Sequence, residues 1–271
     1  TDRPVANRWT RGPVPASRRS AGCAYVILSH TLPRQVERLA QAIRDSSKAS
    51  AVLVVHDARA SESPRPAADR VHVLAHDLDT DWGSWEIVEA TLLGLREARR
   101  RFDPAMVAIV SGQDYPTRSL SQWEAGFLAR GGWQGRADPL VYRPRWGRPY
   151  GAGDDEFTRY AYSWRRLPWG RTLGTSALMP VRLLREGLFK AGHYLEPAIS
   201  VRTLPRGRGL HVGRRWFRPP FDGATRMMKG SQWLALDRAA LDHVLQRDGQ
   251  DRHLRRTYER SVIPDEGYLQ T

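Results

Sequence analysis

The sequence predicts an α/β protein with a mostly parallel sheet and helices on both faces. Short apolar runs at Ala24–Leu28, Ala51–Val55, Val71–Leu74 and Met106–Val110 read as strands buried within such a sheet. Between them lie segments whose apolar residues recur every three or four positions, the spacing of a helix that buries one face. The resulting order, β-α-β-β-α-β-α, implies crossover connections, which keep successive strands parallel.

Each element has a local reason. Ala24–Leu28 breaks at Ser29-His30-Thr31, and Pro33 then suits the first turn of a helix whose Val36, Leu39, Ala40 and Ile43 share a face. Ala51–Val55 delivers His56-Asp57 at its end, and Ser61–Pro66 reads as a loop. Val71–Leu74 runs into the acidic stretch Asp77-Leu78-Asp79-Thr80-Asp81. Ser84 is placed to cap a long helix with Glu86 in its first turn and a buried stripe of Ile87, Val88, Thr91, Leu92 and Leu95. Met106–Val110 stops abruptly at Ser111-Gly112-Gln113-Asp114-Tyr115-Pro116, leaving Asp114 just past the strand's carboxyl end, the edge where open α/β sheets bind ligands. Ser119 to Gln122 has the spacing of a capping box opening the next helix. From Gly131 to Pro220 the chain is rich in Gly, Pro, Trp, Tyr and Arg. That region reads as short elements and loops folded over one side of the sheet, with a helix around Val181–Ala191. Trp233–Leu236 reads as a strand, Asp237 as the cap of a helix, and Pro264-Asp265-Glu266 as the first turn of another.

The chain has 271 residues, enough for one large domain, and 41% of them are hydrophobic. Residues 1–21, basic and proline-containing, read as a linker or disordered arm before a domain over 22–271. The chain opens without Met and stops at Thr271 within an apparent helix, as a fragment would. The single cysteine, Cys23, excludes an internal disulfide framework and a cysteine-based zinc cluster, and reads as a buried strand residue. No apolar run reaches the roughly 20 residues of a membrane helix. A net charge of +14 implies affinity for anions: nucleic acid, a diphosphate-bearing small molecule or an anionic membrane. Neither standard glycine-rich phosphate loop follows a strand, Gly-x-Ser-x-Gly is absent, and none of the eight histidines shows a metal spacing such as His-Glu-x-x-His. What remains is a crevice at the strand ends Ser29-His30, His56-Asp57 and Ser111 to Asp114.

Those ends belong to a set of blocks. Ala24 to His30, Val54 to Asp57, Trp82-Gly83-Ser84, Ser111 to Pro116, Lys229-Gly230-Ser231-Gln232-Trp233 and Pro264-Asp265-Glu266 occur in the order found in one family. The sequence resembles the core-2/I-branching N-acetylglucosaminyltransferases and peptide O-xylosyltransferases, glycosyltransferase family 14, in a bacterial type. The resemblance runs from about residue 22 to 271 and thins between 131 and 220. It implies a GT-A fold and inverting transfer of a sugar from a UDP-sugar to a hydroxyl of a glycan or other acceptor. Glu266 would be the general base. Ser29, Asp57, Trp82, Asp114, Ser231, Gln232 and Trp233 would bind the donor, and Glu156, Arg159 and Tyr160 fall near acceptor contacts. Gln232 stands where the xylosyltransferases carry an acidic residue, which favours N-acetylglucosamine over xylose as the donor sugar. The family works without a metal or other cofactor, although Asp77, Asp79 and Asp81 offer an Asp-x-Asp spacing twice. Relatives draw the basic residues that grip the diphosphate from sequence beyond Thr271; within this chain Arg214, Arg215, Arg226 and Lys229 are the candidates. The absence of an anchor or signal segment points to the cytoplasm, at the inner face of a membrane. Two other readings stay open. One is a nucleic-acid-binding module using the basic, aromatic stretch Arg143–Arg218; the other is a non-catalytic sugar-binding relative.

Overall fold

The computed structural model describes residues 22–143, 153–167, 178–204, 209–218, 221 and 225–271; the expected arm over 1–21 lies outside them. The first half follows the predicted order: β1 (Cys23–Ser29), α1 (Pro33–Ser46), β2 (Ala51–Asp57), β3 (Val71–His76), α2 (Trp85–Phe102), β4 (Met106–Ser111) and α3 (Leu120–Arg130). Short strands β5 (Trp133–Gln134) and β6 (Ala137–Pro139) come next. They are followed by α4 (Phe157–Ala161), β7 (Tyr162–Arg166), α5 (Met179–Leu195), β8 (Ile199–Leu204) and β9 (Gly209–Arg215). The described chain closes with β10 (Met228–Gly230), β11 (Ala235–Asp237), α6 (Arg238–Gln250), α7 (Arg252–Glu259) and two single 3-10 turns, Pro264–Glu266 and Tyr268–Gln270.

A six-stranded sheet in the order β3-β2-β1-β4-β11-β5 organises these elements. The first four strands are mutually parallel, whereas β11 runs antiparallel to β4 and β5 antiparallel to β11. In register, Val26 faces Leu53 of β2 and Ile109 of β4, and Ser29 faces His56. Because β1 sends the chain to β2 on one side and has β4 on the other, the strand order reverses between β1 and β4. That reversal opens a crevice at the carboxyl ends.

Alternation along β1 builds two cores. Ala24 and Val26 pack with Leu95 and Ala98 of α2 and Leu241 of α6, while Tyr25 and Ile27 meet Val36, Leu39 and Ile43 of α1 and Phe127 of α3. Each such fully buried aliphatic side chain contributes roughly 2 kcal/mol. Gly94 lets α2 approach: a Cβ there would stand 2.6 Å from Val26 Cγ1 and 2.8 Å from Val55 Cγ2. Cys23 is buried as expected, and burial with Glu124 nearby pushes its thiol up to about 12.

The region read as short elements and loops holds a second, antiparallel sheet β7-β9-β8 and β6, which pairs with β10 beyond that region. The helix expected at Val181–Ala191 is α5, longer at both ends, with Pro180 in its first turn. Asp237 caps α6 by accepting from Ala240 N at 2.8 Å, and Ser119 caps α3 by accepting from Gln122 N at 3.4 Å. Ser84 does not cap α2 through its side chain; its Oγ turns back to accept from Asp81 N at 3.2 Å. The expected strand at Trp233–Leu236 begins later, at Ala235, although Leu234 O already accepts from Ile109 N at 2.8 Å just ahead of the pairing of Ala235 with Ala108. The turn at Pro264 is not the start of an α-helix: Gly267 N bonds back to Pro264 O at 3.1 Å, closing a single 3-10 turn. Among the described residues no helix is long and apolar enough to cross a membrane.

Candidate active site

A cavity of about 470 Å³ lies over the carboxyl edge of the parallel strands. Its floor and walls come from the ends of four neighbours: Ser29 closing β1 and His30 after it, Val55 in β2, His76 closing β3, and Ser111 closing β4 with Gln113 beyond. The β3–α2 connection adds Thr80, Asp81 and Trp82. Since β11 runs opposite to β4, the residues entering it, Gln232 and Trp233, arrive at the same edge. Two indole rings thus border a polar crevice, a lining that suits ring-bearing ligands with apolar faces and hydroxyl rims.

Hydrogen bonds fix the polarity of this lining. Ser29 Oγ lies 2.9 Å from His56 Nδ1, and His56 Nε2 lies 3.2 Å from the carbonyl of Ser61. A carbonyl can only accept, so Nε2 carries the hydrogen, and in the neutral ring Nδ1 takes the hydroxyl hydrogen of Ser29. Ser29 therefore offers lone pairs to the cavity. Beneath it Asp57, nearly buried, accepts from Arg59 N at 3.0 Å and from the Thr80 hydroxyl at 2.5 Å, tying the loop after β3 to the end of β2. Burial pulls the His76 imidazole below its ordinary range, with Asp57 opposing the shift. Gln232 Nε2 donates to Thr91 Oγ1 at 3.2 Å, which anchors the Trp233 segment to α2.

Glu266 stands on a neighbouring turn. Ile263, in the left-handed region at φ 56°, donates its amide to the carbonyl of Gly83 at 3.1 Å. Gly83 follows Trp82 of the cavity wall, so the Pro264–Glu266 turn is tethered next to that wall, and Glu266 itself is not one of the residues lining the cavity. The Tyr160 hydroxyl donates to Ile263 O at 3.0 Å, and Arg159 Nη1 donates to Glu266 Oε2 at 2.6 Å. Burial disfavours the Arg159 cation, but Glu266, with Tyr160 and Glu156, more than offsets this and its pKa is raised. The Glu266 side chain stays 33% exposed, so its carboxylate still faces solvent. Beside it Lys229 forms an ion pair with Glu156 and holds that carboxyl below its usual range.

The sequence-derived candidates divide accordingly. Ser29, Trp82, Gln232 and Trp233 line the cavity, and Asp57 supports it from below. Asp114 does not: it is exposed, and its carboxylate bends back to accept from Ser111 N at 2.7 Å, stabilising the turn itself. Ser231 likewise serves its own loop by accepting from Trp233 N at 3.2 Å. Glu156 and Arg159 gather with Glu266, but Tyr160 is fully buried against Tyr258, its phenol pushed well up by burial, and cannot reach an acceptor. Arg214 and Arg215 end β9 in the separate antiparallel sheet and border a different hollow with Arg165 and Arg260. Arg226 is exposed ahead of β10, and Lys229 faces Glu156. Among the described residues no lysine or arginine lines the cavity. His76 and Thr80 are cavity residues that the sequence reading did not single out. The signal was present, because each of the first three strands has a histidine at its carboxyl end or one residue from it: His30, His56 and His76.

In comparisons with known proteins, no curated protein matches the chain. One family model does match, over residues 210–271, and that stretch includes both the Lys229 to Trp233 block and the Glu266 turn. The match supports a glycosyltransferase, and the mixed α/β fold with its mainly parallel central sheet is GT-A-like. The model matched by residues 210–271 is that of the Core-2/I-Branching enzyme family.

Proposed function

We propose that the protein transfers a sugar, N-acetylglucosamine, from a UDP-sugar to an acceptor hydroxyl with inversion, using Glu266 as general base. The observation that carries this reading is the docking of the Glu266 turn on Gly83, beside the Trp82 wall of the strand-end cavity. In the proposed step the acceptor oxygen attacks the anomeric carbon on the face opposite UDP. The bond from that carbon to the diphosphate oxygen breaks, UDP leaves as an anion, and the hydroxyl proton passes to the Glu266 carboxylate. Arg159 occupies Oε2, leaving Oε1 for that proton. Ser29, committed as a donor to His56, presents an acceptor to the cavity, which complements the single ring N–H of uracil. Trp82 and Trp233 supply apolar faces for the rings of nucleoside and sugar.

The reading requires no divalent cation. Within the acidic run, Asp79 pairs with Arg59 at 2.9 Å, and Asp81 accepts from Trp82 N at 2.8 Å. The test is transfer and donor hydrolysis with a panel of UDP-sugars, with and without EDTA, for wild type and Glu266→Gln. Transfer by the variant should fall by roughly 10²–10⁴, the usual worth of a positioned base, while UDP binding is retained. A variant as fast as wild type removes Glu266 as base, and activity lost to EDTA removes the metal-free reading.

A further inference from the structure

We propose that α5 docks the protein on an anionic lipid surface, lying in the headgroup region with its outer face toward the acyl chains. Helix α5 packs on β8 through only part of its circumference. Val181, Arg185, Leu188 and Phe189 are half-buried on the packed side. Among the described residues the flank beside that packed side is apolar and uncovered. Leu184, Gly187, Ala191 and Leu195 follow one another at helical spacing and are all exposed, flanked by Leu183 and by Tyr194. Leu183 is 58% and Leu184 53% exposed, and Leu178 and Met179 continue the apolar surface at the amino end. Apolar side chains in a contiguous exposed patch mark a binding surface rather than chance exposure.

Charge selects the occupant. Exposed Lys190 borders the stripe, and Arg182, paired with Glu186 at 3.6 Å, stands on the polar side. The whole chain carries +14. A second copy would bring the same net positive charge, and self-repulsion between the two opposes that pairing. A nucleic acid would satisfy the charge but give the leucines nothing to contact. An anionic bilayer does both: its surface potential attracts the basic residues and its acyl boundary takes the leucines, the combination used by interfacial amphipathic helices. An acceptor or donor carried on a lipid would then be met at the membrane face, although the proposal does not depend on the transferase reading.

The experiment is co-sedimentation with phosphatidylcholine vesicles and with vesicles containing phosphatidylglycerol, using wild type and Leu183→Asp/Leu184→Asp. Both leucines are exposed, so the fold should survive, which a thermal melt checks. Wild type should sediment with the anionic vesicles and not with phosphatidylcholine alone. The double variant should lose partitioning by about tenfold or more, as expected when two leucine side chains no longer enter the acyl boundary. Equal binding by the double variant, or no preference for anionic lipid, overturns the proposal. A dimer in light scattering that the double variant abolishes would overturn it in favour of self-association. UDP binding, read separately, reports on the cavity and is expected to be the same in both proteins.

Discussion

Single atoms decide what the cavity can recognise. The Ser29 hydroxyl has given its hydrogen to His56, so Ser29→Ala removes an acceptor without freeing a buried donor on the ligand side. Loss of one neutral hydrogen bond costs about 1 kcal/mol, and UDP should bind roughly fivefold more weakly by titration calorimetry. Unchanged affinity would show that the nucleobase does not meet Ser29. Arg159 acts one step removed from the chemistry. Its Nη1 fixes one Glu266 oxygen, while its buried Nε has no partner among the described residues. Arg159→Gln should therefore lower kcat with the donor KM unchanged, because the base loses its orientation and the nucleotide contacts do not. Lysine should restore only part of the rate, since it cannot reproduce the planar fork, and added guanidinium should restore more. A donor KM that rises along with the fall in kcat, and no response to guanidinium, would mean that Arg159 merely supports the fold.

Elements carry a different kind of constraint, seen best in α2. Replacing an interior helical glycine with alanine normally stabilises by about 1 kcal/mol through helix propensity. At Gly94 the new methyl would meet Val26 Cγ1 and Val55 Cγ2, both on buried β-branched residues of the sheet with no room to turn. Overpacking costs about 1–3 kcal/mol, so Gly94→Ala should lower the melting temperature. Gly126 of α3 meets only Arg130 Nη1 at 3.7 Å, and Gly126→Ala should raise it. Equal signs for the two would show that propensity, not packing against β1 and β2, governs α2. The same contrast explains what the sequence made legible. The four parallel strands and three helices of the first half advertise themselves in apolar runs and periodic stripes, because each buries a continuous face. The cavity lining followed from them, since parallel strands end at one edge. Strands such as β5, β6 and β10 have two or three residues and exist through pairing with distant partners, Met228 with Pro139 for example, which no local pattern encodes. For the same reason Arg214 and Arg215 were plausible diphosphate ligands in sequence but sit in another sheet. The contact of Arg159 with Glu266 likewise arises only when the Pro264–Glu266 turn folds back onto α4.

At the scale of the whole molecule the fold tolerates a large positive charge by gathering carboxylates where arginines converge. Asp248, almost buried, accepts from Arg255 Nη1 at 2.9 Å and from the Tyr268 hydroxyl at 2.7 Å and also pairs with Arg96, joining α2, α6 and α7 to the final turn. The first loss of stability on acidification should come from two histidines. Burial lowers His76, aided by His56 and Arg59 and opposed by Asp57 and Asp77; burial and Arg101 lower His72, with Glu97 opposing. For a histidine lowered in the fold, the unfolded chain binds the proton more readily. The stabilisation is thus complete above the unfolded value of 6.5 and drains away as pH falls from there toward the folded value. The lowered carboxyls Glu97, Glu156 and Asp242 follow only below their ordinary values of 4.5 and 3.8, in a separate window. Thermal melts at high salt, where surface repulsion is screened, should show the melting temperature dropping below pH 6.5. In His76→Asn the amide oxygen can still accept from Leu78 N, as Nδ1 does at 3.3 Å, but there is no ring left to protonate. That variant combined with His72→Asn should flatten the curve between pH 6.5 and the carboxylate window. A slope as steep in the double variant as in wild type would place the acid sensitivity elsewhere, and the burial of these two imidazoles would not be its cause.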